Sequence, residues 1–171
     1  MKIISWNVNG IRACVKKGFL DYLKEESPDM ICLQETKIAI EDLDPAIKDP
    51  SGYYGIWHSA KRKGYSGTAI LTKHKPISAI EGFGNEKYDC EGRVTIAEFD
   101  TYYVLSVYFP NGQQGDERLQ YKLDFYRDFF EYCNDLKKTG KGLIICGDYN
   151  TAHYPIDLAR PKENEAFSSF L

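Results

Sequence analysis

A layered α/β domain, with sheets inside and helices outside, is the fold class the sequence predicts, and three observations predict it. Short runs rich in β-branched and aromatic residues recur along the chain. Two longer stretches repeat apolar residues at helical spacing, and several of the short runs are apolar at successive positions, as strands buried on both faces are. No repeat, low-complexity tract or linker divides the 171 residues, so a single domain over residues 1–171 is expected. A chain of this length buries roughly 70% of the surface its unfolded form exposes, enough for one well-formed core.

The elements follow in order. Residues 3–6 read as a first strand running into Asn7 and Asn9. Residues 18–26 read as a helix stopped by Ser27 and Pro28, because the residue before a proline is pushed out of the helical region. A strand over 30–33 leads to Gln34, Glu35 and Lys37; strands over 68–71 and 94–99 follow; a strand over 102–109 carries Tyr108 and leads to Asn111. The spacing predicts a helix over 118–136 whose stripe Leu119, Leu123, Tyr126, Phe130, Cys133 and Leu136 faces the core. Residues 143–146 read as a buried strand, and after it come Gly147, Asp148 and Asn150. Strand order is not legible.

The net charge of −3 argues against a chain that coats nucleic acid by bulk electrostatics, although Lys61, Arg62 and Lys63, Lys16 and Lys17, and Arg160 with Lys162 form local basic clusters. Five cysteines without metal-type spacing, two of them (Cys32 and Cys146) inside apolar runs, suggest a reducing compartment. The apolar opening is too short for a signal peptide and no run approaches the ~18 residues of a membrane span. A cytoplasmic protein is expected, nucleoid-associated if prokaryotic, with no membrane partner. The chain ends at an apolar stretch, Phe167, Phe170 and Leu171, that reads as the start of another packed element.

Several strands thus run straight into polar residues. In extended backbone residues two apart share a side, so Asp148 and Asn150 would converge if strand geometry persists that far. If the fold brings Glu35 and Asp148 together, two anions about 4 Å apart repel by roughly 4 kcal/mol at an effective dielectric near 20, and a cation reverses that sign. Oxygen ligands alone, from Glu35, Asp148, Asn7 and Asn150, suit Mg²⁺ or Mn²⁺ better than zinc, and magnesium keeps waters and needs few protein ligands. Singly, each of these residues is an ordinary turn former; the combination carries the argument.

The blocks WNVNGIR, LQETK, GYSGTAI, EGR, YFPNG and GDYNTAH, in that order, resemble the motif series of the exonuclease III and apurinic endonuclease family, within the endonuclease, exonuclease and phosphatase superfamily. The resemblance covers essentially the whole chain. It implies a deoxyribonuclease-I-like sandwich of two mixed sheets flanked by helices. It assigns Glu35 as principal metal ligand, with Asn7 behind it or coordinating, and Asp148 as the residue that orients or deprotonates the attacking water. Asn150 would position that water, and Tyr108 and Asn111 would hold the scissile phosphate. The loop 61–67 would lie along the DNA backbone through Arg62 and Tyr65, with Arg12, Lys37 and Arg118 at further phosphate positions. Such contacts give register and salt-dependent affinity without reading sequence.

The resemblance also marks departures. Asn9 stands where some relatives carry aspartate, and Tyr149 where Leu or Phe is common. Relatives continue beyond the equivalent of Leu171 into strands completing the second sheet and an SDH-type motif; none of His58, His74 and His153 matches that histidine. The second sheet is therefore expected to be incomplete, and the 171 residues alone to be impaired. The implied function is Mg²⁺-dependent cleavage of duplex DNA at abasic sites or removal of 3′ nucleotides or blocking groups, by a monomer. The alternatives are a phosphatase or sphingomyelinase of the same superfamily, against which the basic loop and YFPNG weigh, and a catalytically silent DNA-binding module. A doubly wound nucleotide-binding domain is disfavoured because no GxGxxG follows the first strand.

Overall fold

The computed structural model of the chain describes residues 1–112, 115–152 and 154–157. The expectations for His153, Arg160, Lys162 and the apolar ending Phe167, Phe170 and Leu171 lie outside the described residues.

Among the described residues eight strands and five α-helices follow in order: β1 (Ile3–Asn7), α1 (Ile11–Lys16), α2 (Phe19–Glu26), β2 (Met30–Gln34), α3 (Pro45–Lys48), β3 (Tyr54–His58), β4 (Thr68–Thr72), β5 (Ser78–Glu81), α4 (Glu86–Asp89), β6 (Val94–Glu98), β7 (Tyr102–Tyr108), α5 (Asp116–Lys137) and β8 (Gly142–Asp148). They form two four-stranded mixed sheets, ordered β1-β2-β4-β3 and β5-β6-β7-β8. Each sheet has one parallel pair, β1 with β2 and β7 with β8, and antiparallel pairs elsewhere. Both faces of each sheet are covered. Cys32, Ile70, Ala97 and Val104 fill the space between the sheets. Trp6, Leu33 and Leu71 pack outward against Phe19 and Leu23 of α2, while Val94, Leu105 and Val107 pack against Phe125 and Phe129 of α5. This packing on both sides leaves β2 and β4 buried at every position, with no alternation of apolar and polar residues in their centres. The five cysteines are free thiols.

The two-sheet sandwich flanked by helices is as expected; three details differ. Strands β3 and β5 escape the sequence reading: Tyr54–His58 contains Gly55, and Ser78–Glu81 is a four-residue edge strand of alternating exposure. Pairing with β4 and β6 creates both, and local propensity does not. The short helices α1, α3 and α4 escape it too; α3 and α4 are set by local caps, the Asp44 carboxylate accepting from the Ala46 N–H and the Asn85 side chain from the Lys87 N–H. The third is a correction to the stripe on α5. Its buried positions are Lys122, Phe125, Phe129 and Cys133, whereas Leu123 and Phe130 are 42% and 45% exposed. Aromatic residues line this helix on more than one side, so periodicity alone admits two faces, and the Phe83–Phe109–Phe125–Phe129 cluster selects one.

Gly147 answers a steric demand. A Cβ there would lie 2.1 Å from the Val107 carbonyl oxygen, which belongs to the neighbouring strand and has no freedom to move away. Only glycine lets β8 lie this close to β7 as it delivers Asp148.

Candidate active site and nucleic-acid interface

The C-terminal ends of both parallel strand pairs meet at one edge of the sandwich, and the polar residues after them come together there. Asn7 ends β1, and its side-chain amide donates to Glu35 Oε1 at 2.8 Å and to Asp148 Oδ2 at 2.8 Å, partners 28 and 141 residues away in sequence. Two oxygens bonded to one nitrogen lie no further apart than twice that distance, so the carboxylates do face each other. Asn7 Oδ1 accepts the Asn9 N–H at 3.0 Å, which fixes the amide's orientation. Lys37 adds a positive charge, its ammonium 2.7 Å from Glu35 Oε2 and 2.5 Å from Asn9 Oδ1. Burial pushes the Glu35 carboxyl up, but hydrogen bonds from Lys37, Asn7 and Tyr108 and the Lys37 charge outweigh it and hold the pKa below the usual carboxylate value. For Tyr108, burial and then the negative Glu35 raise the phenol, so it remains a hydrogen-bond donor.

Asp148 and Asn150 converge, but not by strand alternation. The strand ends at Asp148, and Asn150 turns to φ 50°. Its N–H donates to Asp148 Oδ1 at 3.0 Å and its side-chain amide to the Phe109 carbonyl at 2.9 Å. An Asp side chain accepting an N–H two residues on is an Asx turn, which competes with the ladder and ends it. Among the described residues six non-glycines have positive φ, and five of them, Asn9, Glu35, Lys37, Ser66 and Asn150, surround this cluster. Each costs about 1 kcal/mol or more, and such strain collects at functional sites. Backbone bonds hold it: Gly10 N–H to the Glu35 carbonyl at 2.7 Å and Lys37 N–H to the Ser66 carbonyl at 2.9 Å.

Beside the carboxylates opens a cleft of about 770 Å³, with Arg62, Tyr65, Arg93, Tyr108, Asn111 and Arg118 among its walls. Tyr108 belongs to both: its ring lines the cleft and its hydroxyl meets Glu35. The Tyr65 hydroxyl oxygen accepts from Arg93 Nη2 at 2.9 Å and Arg118 Nη2 at 2.8 Å. With its oxygen so occupied, its own proton is available only as a donor to a further acceptor. Arg62 lies over the Tyr65 ring at 5.4 Å. Lys61 is ion-paired to Glu86. Arg12 is exposed and lines a separate concavity with Lys16 and Ile47, so the structure does not place it in the main cleft.

The sequence reading assigned no role to Glu91 and Arg93, although EGR stood among its motif blocks. Arg93 is 1% exposed, its Nε 2.5 Å from Glu91 Oε2 and its Nη1 2.9 Å from the Tyr108 carbonyl. Glu91 also holds Arg118 at 3.1 Å. The available signal was a charged residue directly before the buried strand Val94–Glu98. Lys122, buried on α5, was also missed; burial lowers its pKa and the negative Asp148 opposes that.

Glu35 and Asp148 themselves offer carboxylate oxygens only, and among the described residues no group of three or more His, Cys, Asp and Glu could hold a metal ion. Two carboxylates fit a hard cation that retains most of its waters, in the manner of magnesium or manganese, and do not fit zinc.

The chain is similar to known proteins along nearly its whole length. Residues 4–168 match the Endonuclease/Exonuclease/phosphatase family. The chain is 45% identical over 183 residues to an exodeoxyribonuclease of Bacillus subtilis, covering 100% of this chain and 71% of that protein. It is 44% identical over 174 residues to a DNA-(apurinic or apyrimidinic site) endonuclease of Dictyostelium discoideum, covering 99% and 47%. Among solved structures, an AP endonuclease from Archaeoglobus fulgidus superposes with a TM-score of 0.86 at 31% identity, over 100% of this chain and 65% of that one. The 3′ phosphatase NExo from Neisseria, bound to product DNA hairpin, gives 0.87 at 26% identity, over 99% and 65%. The chain therefore spans about half to about seven tenths of the length of these relatives. Paired carboxylates at the strand ends of a two-sheet sandwich, an arginine-walled cleft beside them, and this agreement along nearly the whole chain have one reading: the chain belongs to the Endonuclease/Exonuclease/phosphatase family.

Proposed function

We propose that the protein is a DNA-repair phosphodiesterase, dependent on Mg²⁺ or Mn²⁺, that cuts duplex DNA at abasic sites or clears 3′ ends. The observation that carries this reading is the Asn7 amide holding Glu35 and Asp148 together beside a cleft walled by arginines. Similarity to proteins named as acting on apurinic sites and on exodeoxyribonuclease substrates supports DNA as the target. Arg62, Arg118, Tyr65 and Asn111 would hold backbone phosphates at the cleft, with Lys37 nearer the carboxylates. Glu35 and Asp148, steadied by Asn7 and with Asn150 alongside, would hold the divalent cation. When bound, that cation would neutralise charge developing on the phosphate and acidify water.

The chain's own groups define the remaining steps. Asp148, fixed through both oxygens by the Asn7 amide and the Asn150 N–H, accepts the proton of the attacking water. Tyr108, kept protonated and hydrogen-bonded to Glu35 in the structure, would redirect its proton to a phosphate oxygen when DNA binds, and Asn150 would orient the water. Five free thiols support a reducing compartment, the cytoplasm, with nucleoid association if the source is prokaryotic. The test is incubation of the longest product of the gene with abasic duplex and with a 3′-phosphate duplex, with Mg²⁺ and with EDTA. Cleavage of either DNA only with Mg²⁺, reduced at least about a hundredfold in Glu35→Gln, is expected. Turnover of lipid phosphoesters alone, or tight DNA binding with no cleavage, would replace this reading with one of its two rivals.

A further inference from the structure

The turn carrying Asp148 and Asn150 is fastened from behind by α5. Lys122 has no exposed surface, yet it carries an ammonium, which donates to the Asn150 carbonyl at 2.7 Å. One helical turn further on, the Tyr126 hydroxyl donates to the Tyr149 carbonyl at 2.6 Å and lies 3.2 Å from Thr151 Oγ1. Two consecutive carbonyls of the turn are thus capped by positions i and i+4 of one helix, which share a face. The Phe109 ring is stacked between Tyr126 and Tyr149, at 4.6 Å from each. The Phe109 backbone binds the same turn, its N–H to the Asp148 carbonyl at 2.9 Å and its carbonyl to the Asn150 amide at 2.9 Å.

This is more restraint than a surface turn needs, and its most expensive member is an ammonium withdrawn from water. Phe125 and Phe129 show that the same helix face accepts apolar side chains, which avoid that cost. Asn150 holds φ 50°, an unfavourable conformation that persists only where its surroundings enforce it.

We propose that Lys122 is a positioning residue for the phosphodiesterase reaction: by holding the Asn150 carbonyl, with Tyr126 as a second anchor, it fixes the turn that aims the Asp148 carboxylate and the Asn150 side chain at the reacting phosphate. The inference rests on the function proposed above. It adds a group that touches neither DNA nor cation, and a residue of this kind acts on kcat, because small displacements of reacting groups cost up to about a hundredfold in rate.

The experiment compares Lys122→Met, which keeps length and apolar packing, with Lys122→Arg, which keeps a cationic donor, in the full protein with Mg²⁺ and abasic duplex. Lys122→Met is expected to lower kcat about 10- to 100-fold with KM within about twofold, and Lys122→Arg to restore most of the loss. Amide hydrogen exchange at residues 150 and 151 is expected to speed up in Lys122→Met while β2 and the middle of α5 stay protected. An unchanged kcat, a change confined to KM, or a kcat loss matched by the same fractional loss of folded protein would each overturn the proposal. If the unaltered protein cleaves no DNA, the functional reading fails separately, and exchange decides whether Lys122 restrains the turn: unchanged rates at 150 and 151 refute it.

Discussion

Glu91 lies between two guanidiniums, Arg93 at 2.5 Å and Arg118 at 3.1 Å, and both of these bond the Tyr65 hydroxyl. Burial raises its pKa, but the Arg93 charge and the hydrogen bonds from Arg118 and Arg93 prevail, so its folded pKa lies below the ordinary value of 4.5. A depressed carboxyl contributes stability that is present above the ordinary value and is lost as pH falls through the folded one. Glu91→Gln leaves a buried arginine without its counter-charge and is expected to cost about 3 kcal/mol at pH 7. In urea unfolding the gap between variant and wild type should narrow as pH drops below 4.5; a gap that stays constant to pH ~3 would mean that the pair contributes nothing through charge. The sequence around EGR offers a buried-charge signal but not the partners, because Tyr65, Tyr108 and Arg118 arrive from three other segments of the chain.

Helix α5 shows how far an element can be read from its own residues. Its extent was legible, expected over 118–136 and found over Asp116–Lys137, because three turns or more of apolar periodicity survive any choice of face. The face was not. Phe129 is fully buried against Phe83 and Phe109, whereas Phe130, one residue on, is nearly half exposed. Phe129→Ala is accordingly expected to destabilise by about 3–5 kcal/mol, and Phe130→Ala by less than about 1 kcal/mol, both measured by chemical denaturation. Equal effects would show that the helix is rotated from the face described here. Strands β2, β4, β6 and β7 were legible because runs buried on both faces carry strong signals, and the half-buried β1 and β8 because their runs are rich in isoleucine; β3 and β5, with a glycine and an edge position, owe their extended form to their neighbours.

At the scale of the molecule, a chain with net charge −3 presents Arg62, Arg93 and Arg118 around one cleft. DNA affinity that depends on such a local patch falls with salt, and removing one phosphate-contacting arginine lowers the salt slope by about one. Arg62→Ala is expected to do this in titrations of uncleaved duplex between 50 and 200 mM salt, roughly equally for any DNA sequence. An unchanged slope would place the DNA elsewhere. Chelation of divalent cations should stop cleavage while leaving that binding measurable. What the sequence determined by itself was the class of fold and the extents of its strongest strands and of its long helix, features that depend on residue type and short-range periodicity; the resemblance of its ordered motif blocks added Asn7, Glu35, Tyr108, Asp148 and Asn150 as candidates. Tertiary structure alone decided that one Asn7 nitrogen joins two carboxylates, that Asn150 reaches Asp148 through a left-handed turn, and that Glu91, Arg93 and Lys122 stand behind the residues facing the cleft. These are contacts between segments far apart in the chain, and only the packing of one sheet on the other and of α5 on the second sheet sets the distances on which charge, strain and hydrogen bonding depend.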